Sequence, residues 1–394
     1  MKYSILIFCL IFLISCNRDK NYTVTNPLDE EIIDKTVILT RAEAMTFIEG
    51  ISTNDILYAK SESGEWLPTQ CDDLDGDGNW DELAFLCNLS AGQTMKISFG
   101  QPDTAPYFPQ RTNVRFGRMT KPFEEVSGDL RMKTNETRFT APVYQMEGPA
   151  WENDVIAFRN YYDARNGIDI FGKTTREMIL DSVGVNGRDY HIQADWGMDI
   201  LKVGNSLGAG AIAIGIGDSL YRIGPCEEGT YRMIAEGPVR AILELDYKNV
   251  PAGDRTYNVK HRIIINAGDR FYRNRVWVSN LKGDEILVTG IVNLHDVSAD
   301  TLDNPNGKIM YSLGNQGFNG EVLGMAVFCP ISMFINYDVA PVAGSGIVNT
   351  HLVKLKLYED EPTRYRFMAV WEIENPLVKN RDHFLELINE AASR

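Results

Sequence analysis

The stretch "VRAILELDYKNVPAGDRTYNVKHRIIINAGDRFYRNRVWVSN", Val239 to Asn280, carries the reading on which the fold turns. It holds three runs, "VRAILELDYKNV", "YNVKHRIIINAG" and "RFYRNRVWVSN", in which apolar and polar residues alternate. A period of two is the mark of a strand with one face buried. "PAGD" and "NAGD" separate the runs, and their Gly, Asn and Asp supply turn conformations. Strands joined by such short turns pair antiparallel. The pattern continues outward through "EILVTGIVNL", "LGMAVFCP" and "RYRFMAVWEI", with "LKGD" and "NPNG" between runs. Helical periodicity is confined to "RDHFLELINEAASR", which predicts one short C-terminal helix, with "TKPFEEVSGDLRMK" as a second candidate. Upstream, "KTVILT", "DILYAK", "ELAFLC" and "MKISFG" predict short strands, and "RAEAMTFIEG" a short helix or an irregular link. The expected fold is mainly β. A small N-terminal β-domain, residues 27–105, precedes a large antiparallel β-sandwich, residues 111–394, and Pro-rich "QPDTAPYFPQ" joins them.

Inside the small domain lies "DDLDGDGNWDE", Asp72 to Glu82. Asp73, Asp75 and Asp77, then Gly78, Asn79 and Asp81, have the spacing of an EF-hand-type calcium loop. Alternate side chains converge on one cation, and Gly permits the sharp turn. Asn79 would offer its carbonyl, and Asp81 would bind directly or through water. Without a cation these carboxylates repel one another at short range. The flanking runs are strand-like, so the expected role of Ca2+ is structural. The competing reading is a solvated acidic turn.

The chain of 394 residues has a formal charge of −15 and no basic block, which excludes nucleic acid and anionic membranes as partners of its surface. It begins "MKYSILIFCLIFLISCN", an apolar run too short to span a bilayer and ending at Cys16. Residues 1–15 read as a signal peptide, and "LISC" as a lipobox that makes Cys16 the lipidated first residue of a tether, 16–26. The expected location is the bacterial cell envelope, lipid-anchored. "NRDKN" lacks a strong acidic export run, which favours the periplasm. Cys71, Cys87, Cys226 and Cys329 fit no zinc spacing. Cys71 and Cys87 bracket the acidic turn, where they either pair or stay as buried thiols. The glycines of "VGNSLGAGAIAIGIGD" lead into an alternating strand, so close backbone packing is expected there and not a phosphate cradle.

Two patches mix aromatic with ionisable residues. "GPAWENDVIAFRNYYDARNGIDIFGK" holds Trp151, Arg159, Tyr161, Tyr162, Asp163 and Arg165. "DYHIQADWGMDILKVG" holds His191, Trp196, Asp199 and Lys202. Together they suit a sugar cleft. Trp151, Tyr161 and Trp196 would stack on pyranose rings, while Asp163 and Lys202 would bind polar substituents. His191 is the preferred acid–base histidine. "DRFYRNRVWVSN" sets Arg273 and Arg275 on one strand face with Phe271 and Trp277, a geometry able to clamp an anion or to pair with acidic side chains. The competing reading of both patches is a structural polar network at strand ends.

"QCDDLDGDGNWDELAFL", "FRNYYDARNGIDIFGK", "DWGMDILKVGNSLGAGAIAI" and "EGPVRAILELDY" together resemble the domain of unknown function 4861 family across nearly the whole mature chain. The resemblance implies an exported protein of polysaccharide degradation and a galactose-mutarotase-like β-supersandwich. It implies an acidic glycan or oligosaccharide as partner, and it carries no catalytic residues over. The expected reaction is β-elimination on a uronic-acid-containing glycan. Arg159 or Arg165 would neutralise the uronate, Tyr162 or His191 would take the C5 proton, and a neighbouring Tyr would protonate the leaving oxygen. Epimerisation or mutarotation by His191 with Asp199 is the second chemistry. A non-catalytic glycan-binding lipoprotein is the alternative from another class.

Overall fold

The computed structural model describes residues 21–48, 55–119, 123–126, 128–132, 144–185, 187–305 and 307–394. The expected signal peptide and Cys16 lie outside them. Two three-stranded sheets form the N-terminal unit. One pairs Tyr22–Thr25, Thr94–Gly100 and Tyr58–Ser61; the other pairs Ile32–Thr40, Glu82–Leu89 and Thr69–Asp72. Leu57, Leu83, Phe85, Ile97 and Phe99 fill the space between them. "RAEAM" forms the helix Arg41–Met45, started by a capping box in which Thr40 and Glu43 satisfy each other's backbone N–H.

The remaining chain builds an antiparallel sandwich. One layer is a nine-stranded sheet. Its spatial order is Gly128–Met132, Glu228–Ala235, Arg240–Ala252, Arg255–Asn266, Phe271–Ser279, Thr363–Trp371, Val322–Cys329, Gly307–Asn315 and Ala299–Asn304. The other layer holds two five-stranded sheets. The first runs Gly197–Asp199, Ile168–Lys173, Ile156–Asn160, Ala150–Asn153 and Thr112–Arg115. The second is centred on Glu285–Val292. The alternation read in Val239–Asn280 is the alternation of the structure: Asn274, Val276 and Val278 face the core, while Arg273, Arg275 and Trp277 face outward. "TKPFEEVSGDLRMK" contributes no helix among the described residues. Gly128–Met132 instead pairs as an edge strand with Glu228–Ala235, and this sheet pairing overrides local propensity.

Glycines let the layers approach. Gly208 has φ +68°, and a Cβ there would lie 2.1 Å from the Ile168 carbonyl oxygen. That agrees with the close packing expected of its stretch. The C-terminal helix Arg381–Ser393 covers the outer face of the nine-stranded sheet with Phe384 and Ile388, which pack on Phe271, Phe328 and Met368. Among the described residues no helix is long and apolar enough to cross a membrane.

The N-terminal unit is tied to the sandwich by buried charge. Arg240, with no exposed surface, reaches Asp72 at 2.6 Å and Glu82 at 2.8 Å. Arg111 bridges Asp34 and Asp154, each at 2.7 Å. Ala84 and Leu86 meet Val239 and Ala267 beside these pairs. Cys71, Cys87 and Cys329 are free thiols, and Cys226 is buried. Cys71 and Cys87 sit opposite Leu83 and Lys35, not each other, and burial pushes both up to about 11.

Candidate functional site

The acidic turn spans the end of Thr69–Asp72 and the start of Glu82–Leu89, whose register pairs Asp72 with Glu82. One carboxylate oxygen from each of Asp73, Asp75 and Asp81 lies within 4.8 Å of the others. Gly76 and Gly78 take φ of +84° and +88°, the conformation that folds the loop back on itself. Gly78 N–H donates to Asp73 at 2.8 Å, and this bond leads in holding that carboxyl below the usual carboxylate range. Leu74 N–H donates to Asp81 at 2.7 Å. Asp77 points elsewhere: its carboxylate accepts from the Asn79 N–H at 2.7 Å and from the Asn79 side-chain amide at 3.1 Å. The converging set is all hard oxygen, which fits a calcium ion.

The second centre is built by strand register. Arg159 stands opposite Asp169, and Asp199 stands opposite Phe171, one diagonal step from Asp169. Arg159 has no exposed surface, and Asp169 and Asp199 have 1% each. The guanidinium donates to Asp169 at 2.5 Å, Asp199 at 3.1 Å, Tyr161 Oη at 2.7 Å and the Met146 carbonyl at 2.8 Å. Tyr161 Oη donates in turn to Asp169 at 2.8 Å. Burial first, and then the charge of Asp169, push the Asp199 carboxyl well above the usual carboxylate range. These causes favour the protonated form of Asp199.

The Asp199 carboxyl faces His191. His191 Nε2 lies 3.6 Å from Asp199 Oδ2, and Nδ1 lies 2.8 Å from Asp189 Oδ1. Asp189 is held below the usual range, chiefly by the His191 backbone N–H, so it is ionised and can only accept. Nδ1 must then carry the hydrogen, which leaves Nε2 free to exchange a proton with Asp199 or with a ligand. The imidazole packs between Tyr190 and Phe318, with centroids at 4.6 and 5.6 Å. Its side chain is 41% exposed. Glu147 also reaches this centre, 3.3 Å from Arg159 and 30% exposed. Met146 and Glu147 both adopt left-handed backbone, φ 52° and 64°, an uncommon pair of strained residues that aims this carboxylate. Beside the histidine opens a cavity of about 470 Å³, lined by Arg188, Asp189, Tyr190, Gln193 and Trp196.

Four of the expected roles fail on burial. Trp151 is fully buried, stacked on Phe158 and edge-on to Tyr272 inside the sandwich, so it cannot platform a sugar. Tyr162 is fully buried against Phe116 and Tyr144, so it cannot take a substrate proton. Arg159 has no exposed surface and already pairs with Asp169, Asp199 and Glu147, so it cannot neutralise a substrate uronate. Tyr161 is covered on its ring by Arg159 and Arg165, at 4.2 and 3.7 Å. Arg165 and Asp163 pair at 2.6 Å, with Arg165 also 3.2 Å from Glu147. Trp196 is half-buried at the cavity, and Lys202 is exposed on the turn beyond Asp199. Asp189, Tyr190, Asp169 and Glu147 are site residues that the sequence reading did not select. The clearest signal was proximity: the first two precede His191 directly.

A curated protein from Formosa agariphila, described as uncharacterized protein P7, is 24% identical over 358 residues, covering 84% of this chain and 82% of its own. Among solved structures, an alpha-mannosidase from Enterococcus faecalis V583 superposes with a TM-score of 0.42 at 10% identity. It covers 94% of this chain and 45% of its own. A glycosyl hydrolase family 38 protein from Enterococcus faecalis gives the same TM-score of 0.42 at 10% identity, over 94% of this chain and 47% of its own. The chain thus spans less than half the length of the solved structures it matches. The family model for the domain of unknown function DUF4861 matches residues 24–394, and the chain belongs to that family.

Proposed function

We propose that the chain is a carbohydrate-active protein that moves protons on a sugar ring, by anomeric exchange or epimerisation, at His191. The observation that carries this is the line Asp189–His191–Asp199: an ionised carboxylate fixes the ring, and a protonated carboxyl backs its free nitrogen. In anomeric exchange the Asp199 proton passes through His191 Nε2 to the ring oxygen as the C1–O5 bond breaks. Glu147 accepts the proton of the C1 hydroxyl, and an open-chain aldehyde forms and recloses. On reclosure Glu147 returns its proton to the C1 oxygen, and the ring-oxygen proton passes back through His191 to Asp199. Beta-elimination is the weaker reading, because Arg159 and Tyr162 are out of reach and Arg165 is neutralised by Asp163 and Glu147. An acidic glycan unit is the proposed ligand class, as the family resemblance implies. The calcium ion of the Asp73, Asp75 and Asp81 set would be structural, and Cys16 would anchor the protein in the envelope, in the periplasm. A binding-only reading draws on the partly exposed aromatics Tyr190, Trp196 and Phe318.

The test incubates the protein with uronic-acid-containing oligosaccharides and reads anomeric exchange and epimer ratio by proton NMR, and unsaturated uronide by ultraviolet absorbance. Exchange in the wild type, lowered roughly 100-fold or more in His191→Ala, is the expected result. New ultraviolet absorbance would restore elimination. Ligand bound and left unchanged would establish the binding-only reading.

A further inference from the structure

The nine-stranded sheet carries a second feature, on its outer face and apart from His191. Register sets Arg262 opposite Arg275 and Arg275 opposite Arg364, and in the next outward-facing row it sets Arg273 opposite Arg366. Like charges directly opposite on adjacent strands repel. Two of these arginines are neutralised: Arg262 by Glu244 at 2.8 Å, and Arg273 by Asp269 at 2.8 Å. Arg275, Arg364 and Arg366 have no ion pair among the described residues. Glu82, the carboxylate that favours the charge of Arg275, is already engaged by Arg240 at 2.8 Å. Arg366 donates to the carbonyl of Ala391 at 2.7 Å, and burial with Arg273 nearby brings it down to about 10. Arg273, Arg275, Arg364 and Arg366 line a cavity of about 220 Å³ at the end of the C-terminal helix, walled by Phe328 and Ile309. Arg366 also lies over the Phe271 and Phe328 rings at 5.1 Å each, which leaves Arg275 and Arg364 as the pair of facing guanidinium groups with neither a carboxylate nor a ring against them among the described residues, in a chain of net charge −15.

We propose that this cavity binds an oxyanion, a sulfate or a carboxylate, free or borne on a sugar. Guanidinium forks on neighbouring strands offer paired N–H donors of the kind that match oxyanion edges. The apolar wall lowers the local dielectric and strengthens each contact. An occupant would remove the repulsion between Arg275 and Arg364 and between Arg273 and Arg366. The inference does not depend on the chemistry at His191.

The experiment follows thermal unfolding and calorimetric binding at fixed ionic strength, with sodium chloride as reference. The probes are sodium sulfate, sodium acetate, sodium D-glucuronate and glucose. Sulfate or a carboxylate should raise the unfolding midpoint above the chloride value, and glucose should not. Glucuronate binding more tightly than acetate identifies a sugar-borne group, and equal binding a free anion. Arg364→Lys, which keeps charge but loses the fork, should bind roughly tenfold more weakly. Arg275→Gln with Arg364→Gln should abolish the anion response and be at least as stable as the wild type in chloride. Three results would each overturn the proposal: no anion-specific shift, a shift that survives the double variant, or a double variant less stable in chloride, which would make these arginines structural.

Discussion

His261 shows how burial alone sets a residue's chemistry. Its ring is fully buried, with Nε2 2.6 Å from Asn274 Oδ1, and desolvation brings it down from 6.5 to about 4. The unfolded chain binds the proton more readily, so the His261 contribution to stability is complete above pH 6.5 and is lost as pH falls toward 4. Urea midpoints measured from pH 7 to pH 4.5 should fall less steeply in His261→Gln than in the wild type, the difference approaching ~3 kcal/mol. Parallel slopes would exclude His261 as the titrating group. The same burial governed what could be read in advance. His261 shares a strand face with Ile263 and Ile265, so its core position was legible in the sequence. Trp151 and Arg159 were misplaced because Ala150–Asn153 and Ile156–Asn160 are buried on both faces. Such strands have no alternation from which an inward or outward face can be told.

At the scale of elements, the turn between Thr69–Asp72 and Glu82–Leu89 was legible to the residue, since Gly78 and the spaced aspartates state its conformation outright. Which carboxylates converge was not legible, because Asp77 turns to Asn79 through bonds that only the folded loop defines. Calcium at a hundred times its dissociation constant should stabilise the protein by about 2.7 kcal/mol. Asp75→Asn should remove most of that gain, and Asp77→Asn should remove little of it. Denaturation in calcium and in chelator measures both. Equal loss in the two variants would return Asp77 to the ligand set. The C-terminal helix was read from its periodicity. What it covers, the outer face carrying Phe271 and Phe328, depends on strands far away in sequence.

The whole molecule holds together through charges that bridge its parts. Asp72 and Glu82 bound the acidic turn, and both bond Arg240 of the nine-stranded sheet. Arg240→Met should leave Asp72 buried with Gln70 as its remaining side-chain partner, at a cost of about 3–5 kcal/mol. Its denaturation curve should show an early transition for the N-terminal unit that the wild type lacks, and an unchanged curve would refute that coupling. Sheet order was beyond the sequence, because alternation names strands without naming their neighbours. Thr363–Trp371 is the last strand in the chain, yet it pairs between Phe271–Ser279 and Val322–Cys329. Until that strand is delivered, the sheet exists as two halves, each with an open edge, and closure is a late, non-local event. A chain that emerges N-terminus first during its synthesis would stay slack in this sheet until its final stretch appeared, so the position of one strand postpones closure of the sandwich to the end of synthesis.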